Sequence, residues 1–213
     1  MVVFRDAVAM VRLSKTLEKA VRVTGGQNPW SLHTNKGGFF RPISPEAAHS
    51  GPRPSVALCD ELHEHPSRAT IDMLEAGFKF REQPALIMIT NSGFDKKTVC
   101  WEEHERAVSV AKGETQNDEL MTYVCDFDED DDPINDETCW IKANPLLDTT
   151  GDSPRTILKM KYLRDRVQEA KDMASKEAFI RRLHFCEWTA SDSAWITADK
   201  IIPLIADFDP EVE

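Results

Sequence analysis

The sequence predicts an α/β fold: a mainly parallel sheet with flanking helices, followed by a mostly helical subdomain. Three observations carry this reading. Residues 56–59, Val-Ala-Leu-Cys, form a short apolar run between Pro52 and Pro54 on one side and Asp60–Glu61 on the other, the pattern of a strand buried on both faces. Residues 85–90, Ala-Leu-Ile-Met-Ile-Thr, form a second such run. Between them, residues 66–80 place Ile71, Leu74 and Phe78 on one helical face behind Pro66, a favoured first-turn residue. Strand, helix and strand in that order describe a βαβ unit.

The other elements follow in chain order. Val3, Phe4, Ala7, Val8, Val11 and Leu17 keep helical spacing over residues 3–20, and Gly25-Gly26 with Asn28-Pro29 break that helix. Trp30, Leu32, Phe39, Phe40 and Ile43 around Gly37-Gly38 predict a β-hairpin. A loop rich in Pro, Ser and Gly fills 44–54. Past the βαβ unit, the pattern predicts a helix over 99–112 and a strand over 120–126 that extends the sheet. Residues 126–136 are then intensely acidic and contain Pro133. This compositional shift divides the chain into a sheet-bearing part, 1–133, and a helical part, 134–213. In the second part, Ser153-Pro154 signals a helix start, helical spacing runs through Ile157, Leu158, Leu163, Val167 and Ala170, and further helices are expected over 176–186 and 198–206.

Composition narrows the function classes. The 213 residues are 41% apolar and 30% charged, as in an ordinary folded protein. A net charge of −11 argues against a general DNA-coating surface, although Lys159–Arg182 is a local basic stretch. No apolar run approaches the ~20 residues of a membrane span, and the N-terminus lacks a signal-peptide pattern. Five cysteines, odd in number and without C-x-x-C spacing, fit a reducing, cytoplasmic setting.

Two constellations carry chemistry. Asp60–Glu61 closes the first apolar run, where open α/β sheets place ligands. In P-loop NTPases an acidic residue at that position helps to hold Mg²⁺, and in many ATPases a second polarises the attacking water. The bland alternative is a chain simply leaving the core through acidic residues. Thr90-Asn91-Ser92-Gly93 closes the second run. Small polar groups there can sense a γ-phosphate; the alternative is an ordinary turn.

Other motifs point elsewhere or nowhere. No G-x-x-x-x-G-K-[ST] occurs, and Ser14-Lys15-Thr16 lies inside a helical pattern without a preceding glycine, so the chain by itself lacks a phosphate cradle. His63-Glu64-His65 has the wrong spacing for a zinc protease helix and reads as solvated loop histidines. Asp126, Asp128, Asp130 and Glu137 match several EF-hand ligand positions, but Asp131 replaces the turn glycine, and a solvated acidic loop is the better reading. Arg81, closing the helix between the two runs, is a candidate phosphate contact or a surface ion pair.

Taken in order, the segments Phe39-Phe40-Arg41-Pro42-Ile43-Ser44, Val56 to His63, Arg81-Glu82-Gln83-Pro84, Ile89 to Asp95, Trp140-Ile141-Lys142-Ala143-Asn144-Pro145, Glu187-Trp188-Thr189 and Trp195-Ile196 resemble the large terminase subunit of tailed bacteriophages. The matching branch has a D-E-L-H Walker B motif and an I-T-x-x-G coupling motif. The ordered set covers nearly the whole chain and is more specific than any single motif.

The resemblance implies an additional-strand P-loop NTPase-type sheet followed by a linker subdomain. It implies an ATPase that drives double-stranded DNA into a procapsid, with Mg²⁺ and ATP as cofactors and the portal protein and small terminase subunit as partners in the host cytoplasm. By position, Asp60 matches the Mg²⁺ residue, Glu61 the catalytic carboxylate, and Thr90, Asn91 and Ser92 the coupling motif. Asn91-Ser92 departs from the family's usual Thr-Thr-Ala, and Arg81 matches a family arginine. The expectation is a middle segment without Walker A or nuclease carboxylates, inactive alone, of a gene that is split, with those parts in trans, or decayed. The alternative is a non-catalytic prophage remnant or interaction module that binds portal, small subunit or DNA.

Overall fold

A computed structural model describes residues 2–44, 53–151 and 157–189. The chain divides into two compact units, one of Met1–Asp60 with Pro66–Ile89 and one of Glu61–His65 with Thr90–Glu213.

The first unit opens with α1 (Val2–Leu13), whose Phe4, Val8 and Val11 are buried at i, i+4, i+7 spacing. The predicted single helix over 3–20 is in fact two. Ser14 leaves helical geometry and its hydroxyl accepts from the Leu17 N–H, capping α2 (Lys15–Ala20). The chain then enters β1 (Val21–Thr24), which pairs antiparallel with β2 (Ser31–Thr34), and β2 pairs with β3 (Phe39–Phe40). The expected hairpin is therefore present, with a third strand before it. Phe4, Val8, Val11 and Leu32 form the core of this part, and the Phe4 and Phe40 rings stand 5.6 Å apart.

The βαβ unit forms as predicted. β4 (Val56–Asp60) and β5 (Ala85–Ile89) pair in parallel, Asp60 opposite Ile89, with α3 (Ala69–Phe78) between them in sequence. Burial departs from expectation. Ala57 and Cys59 are buried, whereas Val56, Leu58, Ile87 and Ile89 are exposed, so this pair is covered on one face.

The second unit carries α4 (Val99–Ala111), capped by the Thr98 hydroxyl. It continues through α5 (Trp140–Ala143), the two-residue parallel pair β6 (Leu147–Asp148) and β7 (Leu158–Lys159), α6 (Met160–Asp172) and α7 (Ala174–Phe185). Its core joins Cys139, Trp140, Leu147, Leu163, Val167, Ala170, Ile180 and Phe185; burying each large side chain contributes roughly 1.5–3 kcal/mol. The Trp140 indole N–H donates to the Pro133 carbonyl at 2.7 Å.

Two expectations for this part fail. No strand forms over 120–126: Met121 and Tyr123 are 92% and 77% exposed, so their apolar and aromatic character reflects no buried face. Among the described residues the strands make three small sheets, one antiparallel and two parallel, in place of one mainly parallel sheet. The helix expected from Ser153-Pro154 begins at Met160, after β7; Ser153-Pro154 and the helix over 198–206 lie outside the described residues. Among the described residues no helix is long and apolar enough to cross a membrane, and all five cysteines are free thiols.

Candidate active site

Asp60 and Arg81 belong to the first unit. Asp60 is the last residue of β4, half-buried at the carboxyl end of a parallel strand. Arg81 follows α3, and its Nε and Nη2 both donate to the Arg53 carbonyl, Nε at 2.9 Å. Part of this guanidinium is therefore engaged in tying the chain after α3 to the chain before β4.

In the second unit, Glu61 and Thr90 converge on His63. Glu61 adopts the left-handed conformation, φ 53° and ψ 54°, rare for a residue with a Cβ and typical of functional sites. One turn of 3-10 helix, Leu62–Glu64, follows and buries Leu62. The His63 backbone N–H donates to the Thr90 hydroxyl at 3.0 Å. Its ring Nδ1 lies 3.1 Å from that oxygen and 3.4 Å from the Glu61 carboxylate. The expectation of solvated loop histidines is thus corrected for His63, whose side chain is 7% exposed. Sequence reasoning missed it as a site residue; the signal was its place directly after buried Leu62 and two residues past the proposed catalytic carboxylate.

Asn91 and Ser92 face a different element. Asn91 Nδ2 donates to the Leu183 carbonyl at 3.2 Å, and its Oδ1 accepts from the Ser92 N–H at 2.8 Å. The Ser92 hydroxyl donates to the Cys186 carbonyl. Asn144 Nδ2 donates to the His184 carbonyl at 2.9 Å. Three side chains therefore satisfy carbonyls at the end of α7, where helical partners run out, and Cys186 closes the helix at φ 56°. Gly93 completes the junction: its carbonyl accepts from the Thr189 N–H at 3.4 Å, and its α-carbon faces the Trp188 indole. Trp188 packs edge-on against Trp101 with centroids 4.7 Å apart, beside His104.

The acidic loop is structural. Lys142 Nζ bridges Asp128 at 2.6 Å and Asp131 at 2.7 Å, Arg181 reaches Asp132, Glu177 and Glu187, and Arg164 holds Glu137 through two bonds of 2.7 Å. Hydrogen bonds from Lys142 and the Asp128 backbone hold the Asp131 carboxyl below the usual carboxylate range, and hydrogen bonding from Arg164 lowers Glu137.

Residues 114–209 match the model of the terminase large subunit, endonuclease domain. The segment read above as helical linker is largely the segment so matched. Protein YmfN of Escherichia coli (strain K12) is 28% identical over 145 residues, covering 68% of this chain and 30% of YmfN. The crystal structure of the HK97 bacteriophage large terminase shares the fold with a TM-score of 0.71 at 23% identity, covering 87% of this chain and 36% of that one. The chain thus spans about a third of the length of each relative. The terminase large-subunit resemblance carried by the ordered motifs is borne out by these matches.

Proposed function

We propose that this chain, a sequence of terminase large-subunit type, supplies the acidic and coupling elements of an additional-strand P-loop ATPase that powers packaging of double-stranded DNA into procapsids. The observation that carries the reading is the convergence of Glu61 and Thr90 on one buried imidazole, with Asp60 at the end of β4 directly before Glu61.

The half-buried Asp60 carboxylate is a hard oxygen donor of the kind Mg²⁺ takes, and it fits that ion. The sequence offers no glycine-rich cradle for the phosphates of ATP, so the fit to nucleotide is partial. Asp60 would hold the Mg²⁺, which would supply neutralisation of the charge that develops on the phosphates. Glu61, 62% exposed at its side chain, accepts a hydrogen bond from the attacking water and orients it. Thr90 is the sensor of the phosphate side in this reading, and Asn91 and Ser92 pass its position to the end of α7. Arg81 retains an unengaged Nη1 for a phosphate.

The exposed Val56, Leu58, Ile87 and Ile89 face supports a further apolar-faced segment that carries the phosphate-binding loop, in the same polypeptide or another chain. Portal protein and small terminase subunit are the partners this reading assigns, in the host cytoplasm. By itself the chain turns over ATP at background level. Robust Mg²⁺-dependent hydrolysis by the chain alone, abolished in Glu61→Ala, would contradict that.

A second reading rests on the endonuclease-domain match. Among the described residues no three His, Cys, Asp or Glu side chains gather to hold a metal ion, and Asp128, Asp131, Asp132 and Glu137 are engaged by Lys142, Arg181 and Arg164. This favours residues 114–189 acting as a docking module for portal, small subunit or DNA. A pull-down with portal and small subunit, set beside calorimetry with ATP, separates the two readings.

A further inference from the structure

We infer that His63 is a positioning residue that couples the Thr90 hydroxyl to the Glu61 carboxylate, with its ring proton on Nδ1. The inference rests on the proposed ATPase reading for its purpose, although the hydrogen-bond geometry stands without it.

Donor accounting places the ring proton on Nδ1, the nitrogen that faces more acceptors. A threonine hydroxyl has one proton and two lone pairs. The Thr90 proton goes to the Asn91 carbonyl at 2.8 Å, and one lone pair accepts the His63 backbone N–H at 3.0 Å. The remaining lone pair faces His63 Nδ1 at 3.1 Å, with the Cys100 thiol farther away at 3.4 Å. Glu61 offers Nδ1 only a carboxylate oxygen, at 3.4 Å. Both neighbours of Nδ1 are acceptors, so Nδ1 carries the hydrogen and shares it between them. On the far side of the ring, Nε2 faces one acceptor, the exposed Glu64 carboxylate at 3.3 Å, against the two that face Nδ1.

Burial says which partner is held and which holds. The His63 side chain is 7% exposed, whereas Glu61 and Glu64 are 62% and 71% exposed. The ring gives the exposed Glu61 carboxylate, on a left-handed residue, a fixed direction. The backbone bond from His63 to Thr90 also locks the 3-10 turn to the residue after β5. A displacement of the Thr90 hydroxyl therefore moves the ring and, through Nδ1–H, the carboxylate. Thr90 is the sensor in the proposed function, so the state of the phosphate side reaches Glu61 through one imidazole.

The test is heteronuclear NMR on the full 213-residue chain, reading the His63 ring nitrogens and the Glu61 side-chain carboxyl carbon. The wild type should show His63 mainly in the Nδ1–H form, and Thr90→Val should move it toward Nε2–H and shift the Glu61 carboxyl resonance. In a His63→Ala background, Thr90→Val should no longer reach Glu61. His63→Asn places an amide N–H where Nδ1–H was and should restore that transmission, an outcome that a merely space-filling role for His63 does not produce. Amide spectra of the remaining residues report whether each variant is folded, and Glu61→Gln, at an exposed side chain, provides a second perturbation read at His63. An Nε2–H form in the wild type, or a Glu61 resonance that responds to Thr90→Val equally with and without His63, overturns the inference. Neither readout involves ATP, so failure of the ATPase proposal and failure of this coupling are separate results.

Discussion

Gly93 lies against the face of Trp188 so closely that a Cβ added to it would stand 2.9 Å from the indole Cζ3. The contact joins the loop after β5 to the chain after α7, beside the bonds from Asn91 and Ser92 to the Leu183 and Cys186 carbonyls. Gly93→Ala meets a ring held edge-on by Trp101, which cannot withdraw without losing that packing. The expected cost is about 1–3 kcal/mol, the range for overpacking a filled site. Urea unfolding followed by tryptophan fluorescence reads it, and an unchanged midpoint would show that the junction yields freely.

Phe185 is fully buried and packs against Trp140, with ring centroids 5.6 Å apart, and Phe127. Phe185→Ala removes the aromatic group where α7, α5 and the acidic loop meet. Stability should fall by about 3–5 kcal/mol, which in a marginally stable unit abolishes the cooperative transition. Phe185→Leu should retain most of the stability in the same urea titration.

Stability should also fall on mild acidification. Burial, above all, holds the His104 imidazole below its ordinary range, with Lys96 adding to it against Asp126 and Glu105. His184 is lowered likewise by burial and by Arg166. For a depressed imidazole the unfolded chain takes up the proton first as pH falls. The stabilisation is therefore fully present above about pH 6.5 and is lost as pH falls through that value toward the lower folded ones. Glu187, pushed up by burial against the pull of Arg181, works in the opposite sense. The urea midpoint should drop between about pH 7 and pH 5.5, and the paired variant His104→Phe with His184→Phe should flatten that slope.

The thiols of Cys139 and Cys186 should be slow nucleophiles. Burial is the main cause in both: it lifts each to about 11, helped by Asp131 and Asp136 at Cys139 and by Asp126 at Cys186. A thiol at about 11 carries roughly a hundredfold less thiolate at neutral pH than an ordinary one at 9.0. Iodoacetamide labelling read by mass spectrometry should modify both sites far more slowly in the folded chain than in urea; equal rates would contradict the packing around them.

Much of the fold was legible in the sequence because it is local. Val56–Cys59 and Ala85–Ile89 are apolar runs too short for helices, and Ile71, Leu74 and Phe78 keep one period, so strand, helix and strand could be read directly. β1 was not, because Val21–Thr24 continues the polar-apolar texture of the helix before it and its partner, Ser31–Thr34, lies across a turn. The strand expected over 120–126 shows the converse: β propensity by itself does not make a ladder, and Met121 and Tyr123 stay exposed. Of the site, Asp60, Glu61 and Thr90 were visible as polar residues ending apolar runs. The partners of Asn91 and Ser92 at the end of α7 were not, since contacts that far along the chain leave no local pattern. His63 was hidden for a different reason: a histidine between two glutamates reads as solvated, and only the fold turns its ring inward.

The central proposal is that Glu61, with Thr90, forms the acidic side of an ATP-hydrolysing site whose phosphate cradle comes from another segment. The direct measurement is Mg²⁺-dependent ATP turnover by the chain combined with a terminase segment that carries a phosphate-binding loop, comparing wild type with Glu61→Gln. Loss of a catalytic carboxylate commonly costs on the order of a hundredfold or more in rate. The prediction is turnover in the combined wild type that neither part shows alone and that Glu61→Gln reduces to background. Turnover that is indifferent to Glu61→Gln would contradict it.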